Sequence, residues 1–476
     1  MKIFLSTPPG RTTERWPPLG LLYIASSIRK GRKGDVIIVE DAFCKNWTVR
    51  ELADAIVREK PDVAGLNCST HTFLDAVAVL KEVSERLPGV VTVMGGYHAT
   101  FAREQILRDY PFIDYVISGE GEVPFVRLLD CIERDARPAG VPGISYIDGG
   151  VLASMEPELI EDLDALPFPD RSMLRGIEYG YVFQGIPLTF GRFTTMCTSR
   201  GCAYDCTYCS CAAFSRRRWR YRSPENVVDE LEQLYRDGYM SVVLIDDNFT
   251  QRPDRAEKIC DLIIERGIRM KLGCEGRVNH SSDGLFRKMK AAGFEVIYFG
   301  AESASEHVLE FYRKRATPAQ ARQAVTEAKR CGMLVITSFI IGAPVESVAD
   351  MQRTVEFISE LRPHGLQLNV LDVLVGTPIW QDLARNGRIK PEDWKTNHYI
   401  FEYERSGPGK EALETVAIEG YNSFLNAWKT PSGLSEVAWL ALRNGVAREI
   451  IAHNILNLRA LAAVVRGIEA PHNNPR

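Results

Sequence analysis

Arg200-Gly-Cys-Ala-Tyr-Asp-Cys-Thr-Tyr-Cys-Ser210 sets Cys202, Cys206 and Cys209 in a CxxxCxxC spacing on one short loop. Cysteine is scarce here, 11 of 476 residues, so chance would give this spacing only about 0.006 times. Three thiolates so placed can hold three irons of a cubic [4Fe–4S] cluster and leave the fourth iron open to an outside molecule. A zinc site would need a fourth Cys or His, which Cys211 or Cys197 could supply, and disulfides would need an oxidising compartment. The pattern of the chain downstream of the triplet favours the cluster.

Outward from the triplet, apolar runs alternate with helical segments. Arg192–Met196 reads as a strand with the cysteine loop at its carboxyl end. Val242–Ile245 ends in Asp246-Asp-Asn-Phe249, and Met270–Gly273 leads to Glu275 and Arg277. Val296–Phe299 runs into Gly300-Ala-Glu-Ser303, Leu334–Ile341 into Gly342-Ala-Pro-Val-Glu346, and Leu366–Val370 towards Gly376-Thr-Pro378. Ser223-Pro-Glu-Asn226 carries a helix start, with serine as cap and proline in the first turn. Residues 191–385 therefore predict a partial (β/α)6 barrel, a fold that gathers its chemistry at the carboxyl ends of the strands.

Residues 1–135 show a second alternation. Strands are predicted at Ile3–Leu5, Val36–Val39, Val63–Asn67, Val90–Met94 and Tyr115–Ser118, with helices near Leu19–Arg32, Thr48–Glu59 and Leu74–Arg86. This is the pattern of an α/β, doubly wound parallel sheet, which binds ligands beyond its carboxyl edge. Asn67-Cys-Ser-Thr70, Gly95-Gly-Tyr-His-Ala-Thr100 and Gly119-Glu-Gly-Glu122 recur at that edge. A single glycine after a strand is ordinarily a turn; their recurrence lets the backbone approach a bulky partner. Residues 136–190 form a linker with a small hairpin around Gly149-Gly150 and the proline-stiffened Leu166-Pro-Phe-Pro-Asp-Arg171. Residues 386–476 are mainly helical: after an irregular Pro391–Glu404, helices are predicted at Lys410–Trp428 and Ser435–Val465. The second carries an apolar stripe of Val437, Leu440, Ala441, Ile450, Ile451, Ile455 and Leu458, suited to packing on the barrel or a partner, or to a membrane surface.

A net charge of −4 and a pI near 6.2 give no support to nucleic-acid binding. Arg216–Arg222, basic with aromatic interleaving, reads as a solvated or salt-bridged loop beside the site rather than an RNA contact. Met1–Pro9 does not read as a signal peptide, and no apolar run reaches the roughly 20 residues of a membrane span. Cysteines without a paired framework suit the reducing cytoplasm. Cys44, Cys68, Cys131, Cys260, Cys274 and Cys331 read as small apolar packing groups.

CxxxCxxC with Tyr208 just before its last cysteine resembles the signature of radical S-adenosylmethionine (SAM) enzymes, and the likeness runs from about 190 to 385. It implies a [4Fe–4S] cluster whose open iron binds SAM. An electron from a donor of ferredoxin or flavodoxin type would then release a 5′-deoxyadenosyl radical. By the same resemblance Tyr208 lies against adenine with the backbone at Ile341 and Gly342. Glu302 and Ser303 match a Gly-x-Glu-Ser segment facing SAM, Arg277 pairs a carboxylate, and Asp246 and Asp247 meet SAM or substrate. Salt bridges at the barrel mouth are the plain alternative for these residues. Gly95-Gly-Tyr-His98, Ser118-Gly-Glu-Gly-Glu122 and Pro17-Pro-Leu-Gly20 resemble the cobalamin-binding domain that precedes the barrel in one large subfamily. This implies cobalamin contacts at Asn67, Ser69, Thr70, Gly95, Gly96, Tyr97, His98, Gly119 and Glu120. The chain departs from cobalamin domains that carry Asp-x-His-x-x-Gly, since neither His71 nor His98 sits in that motif. The lower face of the cofactor is then expected near Asn67–Phe73 without a histidine ligand, and His98 alone would read as a polar loop residue.

The implied activity is methylation of an unactivated carbon, by hydrogen abstraction followed by methyl transfer from methylcobalamin. Alternatives of the same architecture are a cyclase like the anaerobic magnesium-protoporphyrin ester enzyme, a rearrangement, or carbon–carbon coupling on a lipid. A non-catalytic binding module is the remaining reading. The substrate, whether small molecule, lipid, tetrapyrrole or peptide, is not written in the motifs.

Overall fold

The computed structural model describes residues 1–10, 15–174, 176–183, 186–189, 191–390, 392–393 and 407–456. In the first unit β1 (Lys2–Thr7), α1 (Leu19–Gly31), β2 (Val36–Asp41), α2 (Val49–Glu59), β3 (Val63–Asn67), α3 (Phe73–Arg86), β4 (Val91–Gly95), α4 (Tyr97–Asp109), β5 (Tyr115–Ile117) and α5 (Glu122–Glu133) alternate. The strands pair in parallel in the order β2-β1-β3-β4-β5. Successive side chains of β1 point to opposite faces. Ile3 and Leu5 join the core under α1 and α5, and Phe4 joins the core under α2, α3 and α4. Both faces are thus covered, as a parallel sheet requires. Strand order reverses between β1 and β3, where such sheets open a ligand crevice. The hairpin expected in the linker forms as β6 (Ile144–Asp148) and β7 (Val151–Ser154), and it extends this sheet as an antiparallel edge.

After a short hairpin of β8 (Val182–Phe183) and β9 (Ile186–Pro187), the second sheet begins with β10 (Phe193–Met196). A two-stranded ribbon, β11 (Ser199–Arg200) with β12 (Arg220–Tyr221), encloses the cysteine loop and α6 (Ser210–Phe214). Then come α7 (Pro224–Arg236), β13 (Ser241–Leu244), α8 (Pro253–Glu265), β14 (Lys271–Gly276), α9 (Asp283–Ala291), β15 (Phe294–Glu302), α10 (Glu306–Phe311), α11 (Pro318–Arg330), β16 (Leu334–Ile341), α12 (Val348–Leu361) and β17 (Gly365–Val370). Strands β10, β13, β14, β15, β16 and β17 pair in that order, all parallel, with β10 and β17 left as edges: the expected partial barrel.

Two strands run further than predicted. Glu275 lies inside β14, and Gly300-Ala-Glu302 belongs to β15. The register shifts between Gly300 and Glu302, where Glu302 holds φ at 67°, a bulge that re-aims its side chain.

Beyond α13 (Pro378–Arg385) the chain returns as α14 (Lys410–Trp428), α15 (Pro431–Arg443) and α16 (Gly445–Leu456). Helix α14 matches its predicted span. Gly420 lets it approach β17, since a Cβ there would stand 2.5 Å from Leu368 Cδ2. The single helix expected over 435–465 is broken at Asn444. Its side chain donates to the carbonyls of Glu295 (2.7 Å) and Gly332 (3.1 Å) and accepts from Ala447 N–H (2.9 Å), so it caps a new helix while docking to the barrel. The rest of that prediction, and most of 391–404, lie outside the described residues. Among the described residues no helix is long and apolar enough to cross a membrane.

Candidate active site between the two sheets

The cysteine loop is fixed from both ends. Asp246, at the carboxyl end of β13, accepts from Thr198 N–H (2.6 Å), Thr198 Oγ1 (2.5 Å) and Ser199 Oγ (2.6 Å). Its neighbour Asp247 accepts from Gly201 N–H at 3.0 Å. On the far side Thr207 N–H donates to Tyr312 O, and Ile379 N–H donates to Thr207 O, both at 3.0 Å. Asp246 is therefore an anchor of the loop, whereas Asp247 lies on a cavity wall, its carboxyl pushed up by burial. All cysteines are free thiols. Burial pushes Cys202 up to about 11, while a hydrogen bond from Cys211 brings Cys209 down to about 7. Among the described residues no three Cys, His, Asp or Glu side chains converge as a single ion requires, so the closed tetrahedral set of a structural zinc is not formed. Three separate thiols on one anchored loop suit the spread corners of a cubane.

Arg277, just past β14, lies against this loop. Its Nη1 is 3.8 Å from Cys206 Sγ, and its guanidinium sits 3.6 Å above the Tyr204 ring. It also bonds the carbonyl of Lys314. A buried guanidinium beside a thiol of this loop can take an anionic carboxylate or offset the charge of a thiolate.

Tyr208 and Glu302 meet. Tyr208 Oη donates to Glu302 Oε1 at 2.9 Å, and Lys314 Nζ pairs with the same oxygen at 2.6 Å. Ser303 turns away: its hydroxyl is 3.4 Å from Thr354 Oγ1 of α12 and accepts from Ser305 N–H, because the bulge ahead of it reverses the facing. The Ile341 side chain is in the core between sheet and helices, and Gly342 (φ 95°) donates its N–H to Glu346 at 2.6 Å.

A cavity of about 330 Å³ opens between the carboxyl edge of the first sheet and the cysteine loop. Asn67, Gly95, Gly96, Tyr97, Gly119 and Glu120 wall it on one side, with Cys197, Arg200, Gly201, Cys211, Phe214 and Asp247 opposite. It lies over β1 and β3, at the reversal of strand order. Seven glycines line it; at Gly20 a Cβ would meet nothing within 4 Å, whereas at Gly65, Gly96, Gly119, Gly121 and Gly201 it would stand within 3 Å of the protein's own atoms, so packing also asks for glycine there. A wall stripped of side chains fits the close approach of a flat macrocycle.

Ser69, Thr70 and His98 do not line this cavity. His98 is the second residue of α4, a helix absent from the sequence prediction. Its ring packs on Phe73 with centroids 4.4 Å apart, and Nδ1 is 3.3 Å from Thr70 Oγ1. It is a core histidine rather than a loop residue.

Glu120 lines the cavity, but its carboxylate is turned to arginines. Arg220 bonds both oxygens (2.7 and 3.0 Å), Arg200 one (3.1 Å), and Ile160 N–H donates at 2.7 Å. Burial alone would raise this carboxyl; the arginines outweigh it and hold it below the usual range. Arg200 also pairs with Glu122 at 2.5 Å. Arg220 belongs to the Arg216–Arg222 stretch read as a salt-bridged loop beside the site, and Arg200 opens the cysteine-loop stretch; nothing in the sequence marks Lys314 or names a partner for either arginine.

The chain matches the B12 binding domain model over residues 10–129 and the Radical SAM superfamily model over 196–358. It is 34% identical over 403 residues to an uncharacterized methyltransferase of Pyrococcus horikoshii, across 83% of this chain and 86% of that one. It is 30% identical over 356 residues to the anaerobic magnesium-protoporphyrin IX monomethyl ester cyclase of Rubrivivax gelatinosus, across 73% of this chain and 63% of that enzyme. The radical SAM methyltransferase TsrM of Kitasatospora setae, solved with cobalamin and a [4Fe–4S] cluster, shares the fold: TM-score 0.70 at 18% identity, over 85% of this chain and 84% of that one. The chain belongs to the radical SAM superfamily, in the branch of methyltransferases and cyclases that carry a B12-binding domain ahead of the radical SAM domain.

Proposed function

We propose that this protein is a cytoplasmic, cobalamin-dependent radical SAM methyltransferase acting on an unactivated carbon, with residues 1–135 as the cobalamin domain and 191–385 as the radical SAM core. The observation that carries the reading is the cavity in which the glycine-lined edge of the first sheet faces the cysteine loop. Cluster, SAM and cobalamin together supply a hydrogen-abstracting radical and a transferable methyl group, which suits a carbon that is no nucleophile.

The chain's own residues bind and orient. Cys202, Cys206 and Cys209 hold three irons on a loop pinned by Asp246 and Asp247. Arg277 meets the carboxylate of SAM beside Cys206. Tyr208, held by Glu302 and Lys314, presents its ring to adenine, with the backbone at Ile341 and Gly342 closing the slot. Glu346 keeps that backbone in place by accepting from Gly342 and Ala343 N–H. Asn67, Gly95, Gly96, Tyr97 and Gly119, on one wall of the cavity, would hold cobalamin. His98 packs on Phe73 in the core, outside the lining of the cavity that would hold cobalamin. A one-electron donor of ferredoxin or flavodoxin type would supply the reducing electron.

Cluster-reconstituted protein with SAM, hydroxocobalamin and a strong reductant, held anaerobically, should form both 5′-deoxyadenosine and S-adenosylhomocysteine. Cys206→Ala should form neither. Deoxyadenosine alone, across a panel of acceptors, would move the reading to a cyclase.

A further inference from the structure

We infer that Glu120 is a positioning residue: its buried carboxylate ties the cobalamin-facing edge of the first sheet to the base of the cysteine loop, and so sets the spacing of the two cofactor sites. The inference rests on the function proposed above.

Arg200 and Arg220 face each other across the β11–β12 ribbon, in register as partners. That ribbon is the neck from which the cysteine loop emerges, with Cys202 two residues beyond Arg200. On the other side Glu120 follows Gly119, which walls the cavity in a left-handed conformation (φ 72°). One carboxylate thus grips both strands of the neck, and Ile160 from the connecting segment closes the set. The side chains of Glu120 and Arg220 are only 4% and 6% exposed, and the adjoining Arg200–Glu122 pair is nearly as buried.

Charge here has a geometric use. A buried ion pair adds little stability over apolar packing of the same volume, and its best-attested use is to fix register. A bidentate guanidinium–carboxylate pair also fixes orientation, which apolar side chains do not. Two cofactors that act on one substrate need a fixed separation, and a misplacement of about 1 Å can cost roughly 100-fold.

The test uses the full chain loaded with cluster and hydroxocobalamin, then reduced. Pulsed EPR reads the dipolar coupling between the reduced cluster and cob(II)alamin, beside iron and cobalamin content and the two SAM-derived products. In Glu120→Gln both cofactors should load as in wild type while the cluster–cobalt distance lengthens or broadens. S-adenosylhomocysteine should fall roughly 10- to 100-fold against deoxyadenosine. Arg220→Lys, which keeps the charge and loses the bidentate fork on Glu120, should shift the coupling in the same direction and serves if Glu120→Gln does not fold. An unchanged distance in both variants would overturn the inference. So would loss of cobalamin from both, which would make Glu120 part of the binding wall instead. Failure of the wild type to show any cluster–cobalt coupling would sink the cofactor reading itself.

Discussion

Lys314→Met should destabilise the barrel by about 3 kcal/mol or more. Lys314 Nζ and Glu302 Oε1 are 2.6 Å apart, and both side chains are 6% exposed. At an effective dielectric of 20, unit charges so placed attract by about 6 kcal/mol. Desolvation of both groups offsets much of that in the intact pair. Removing one partner leaves the other's desolvation cost uncompensated, typically about 3–5 kcal/mol. The remaining bond from Tyr208 Oη keeps the loss toward the lower end of that range. Native-state hydrogen exchange on the amides of β15 and β16 reads the change without assuming that the chain unfolds in one step. The double variant Lys314→Met with Glu302→Gln should recover most of the loss, because a neutral amide oxygen still accepts from Tyr208. A single-variant loss below about 1 kcal/mol, or a double variant no more stable than the single, would refute the reasoning.

Three further outcomes are expected. Asp246→Ala removes an acceptor shared by Thr198 and Ser199, with bonds to a charged oxygen worth about 1.5 kcal/mol or more each; iron and sulfide content after reconstitution should fall although every cysteine remains. Burial pushes Glu346 from 4.5 up to about 7. The folded state therefore holds a proton that the unfolded chain releases, and stability should drop as pH rises from 4.5 to about 7, by at most about 1.4 kcal/mol per unit. Glu346→Gln should flatten that slope, as thermal melts across pH would read. His98→Ala should lower the melting temperature of the first unit while leaving the EPR spectrum of bound cob(II)alamin unchanged; loss of a nitrogen splitting would instead make His98 a cobalt ligand.

Both sheets were legible because their strands are short apolar runs punctuated by glycine, proline and acids. Val63–Asn67, Leu334–Ile341 and Lys410–Trp428 stand where periodicity puts them. Local pattern failed where a distant partner decides. Asn444 breaks a helix because carbonyls of Glu295 and Gly332 receive its side chain. Glu302 looked like the loop after β15 because a bulge does not show in composition. Helix α4 was hidden by the weak amphipathicity of Tyr97–Asp109, which left His98 looking like a ligand-edge residue. In the site, the cysteine spacing and the glycine pairs were plain. The Arg216–Arg222 stretch was legible as a salt-bridged loop, but the lysine and arginines that hold Glu302 and Glu120 lie 12 to 100 residues from their partners, and nothing local names the partner.

The most direct measurement tracks the methyl group. Protein loaded with cluster and hydroxocobalamin is reduced anaerobically with SAM bearing a trideuterated methyl, and the cobalamin is then extracted for mass spectrometry. The account predicts cobalamin carrying the trideuteromethyl group, with S-adenosylhomocysteine formed in step and the label absent when cobalamin is omitted. Cobalamin bound and reduced yet unlabelled, with SAM consumed only to 5′-deoxyadenosine, would contradict it.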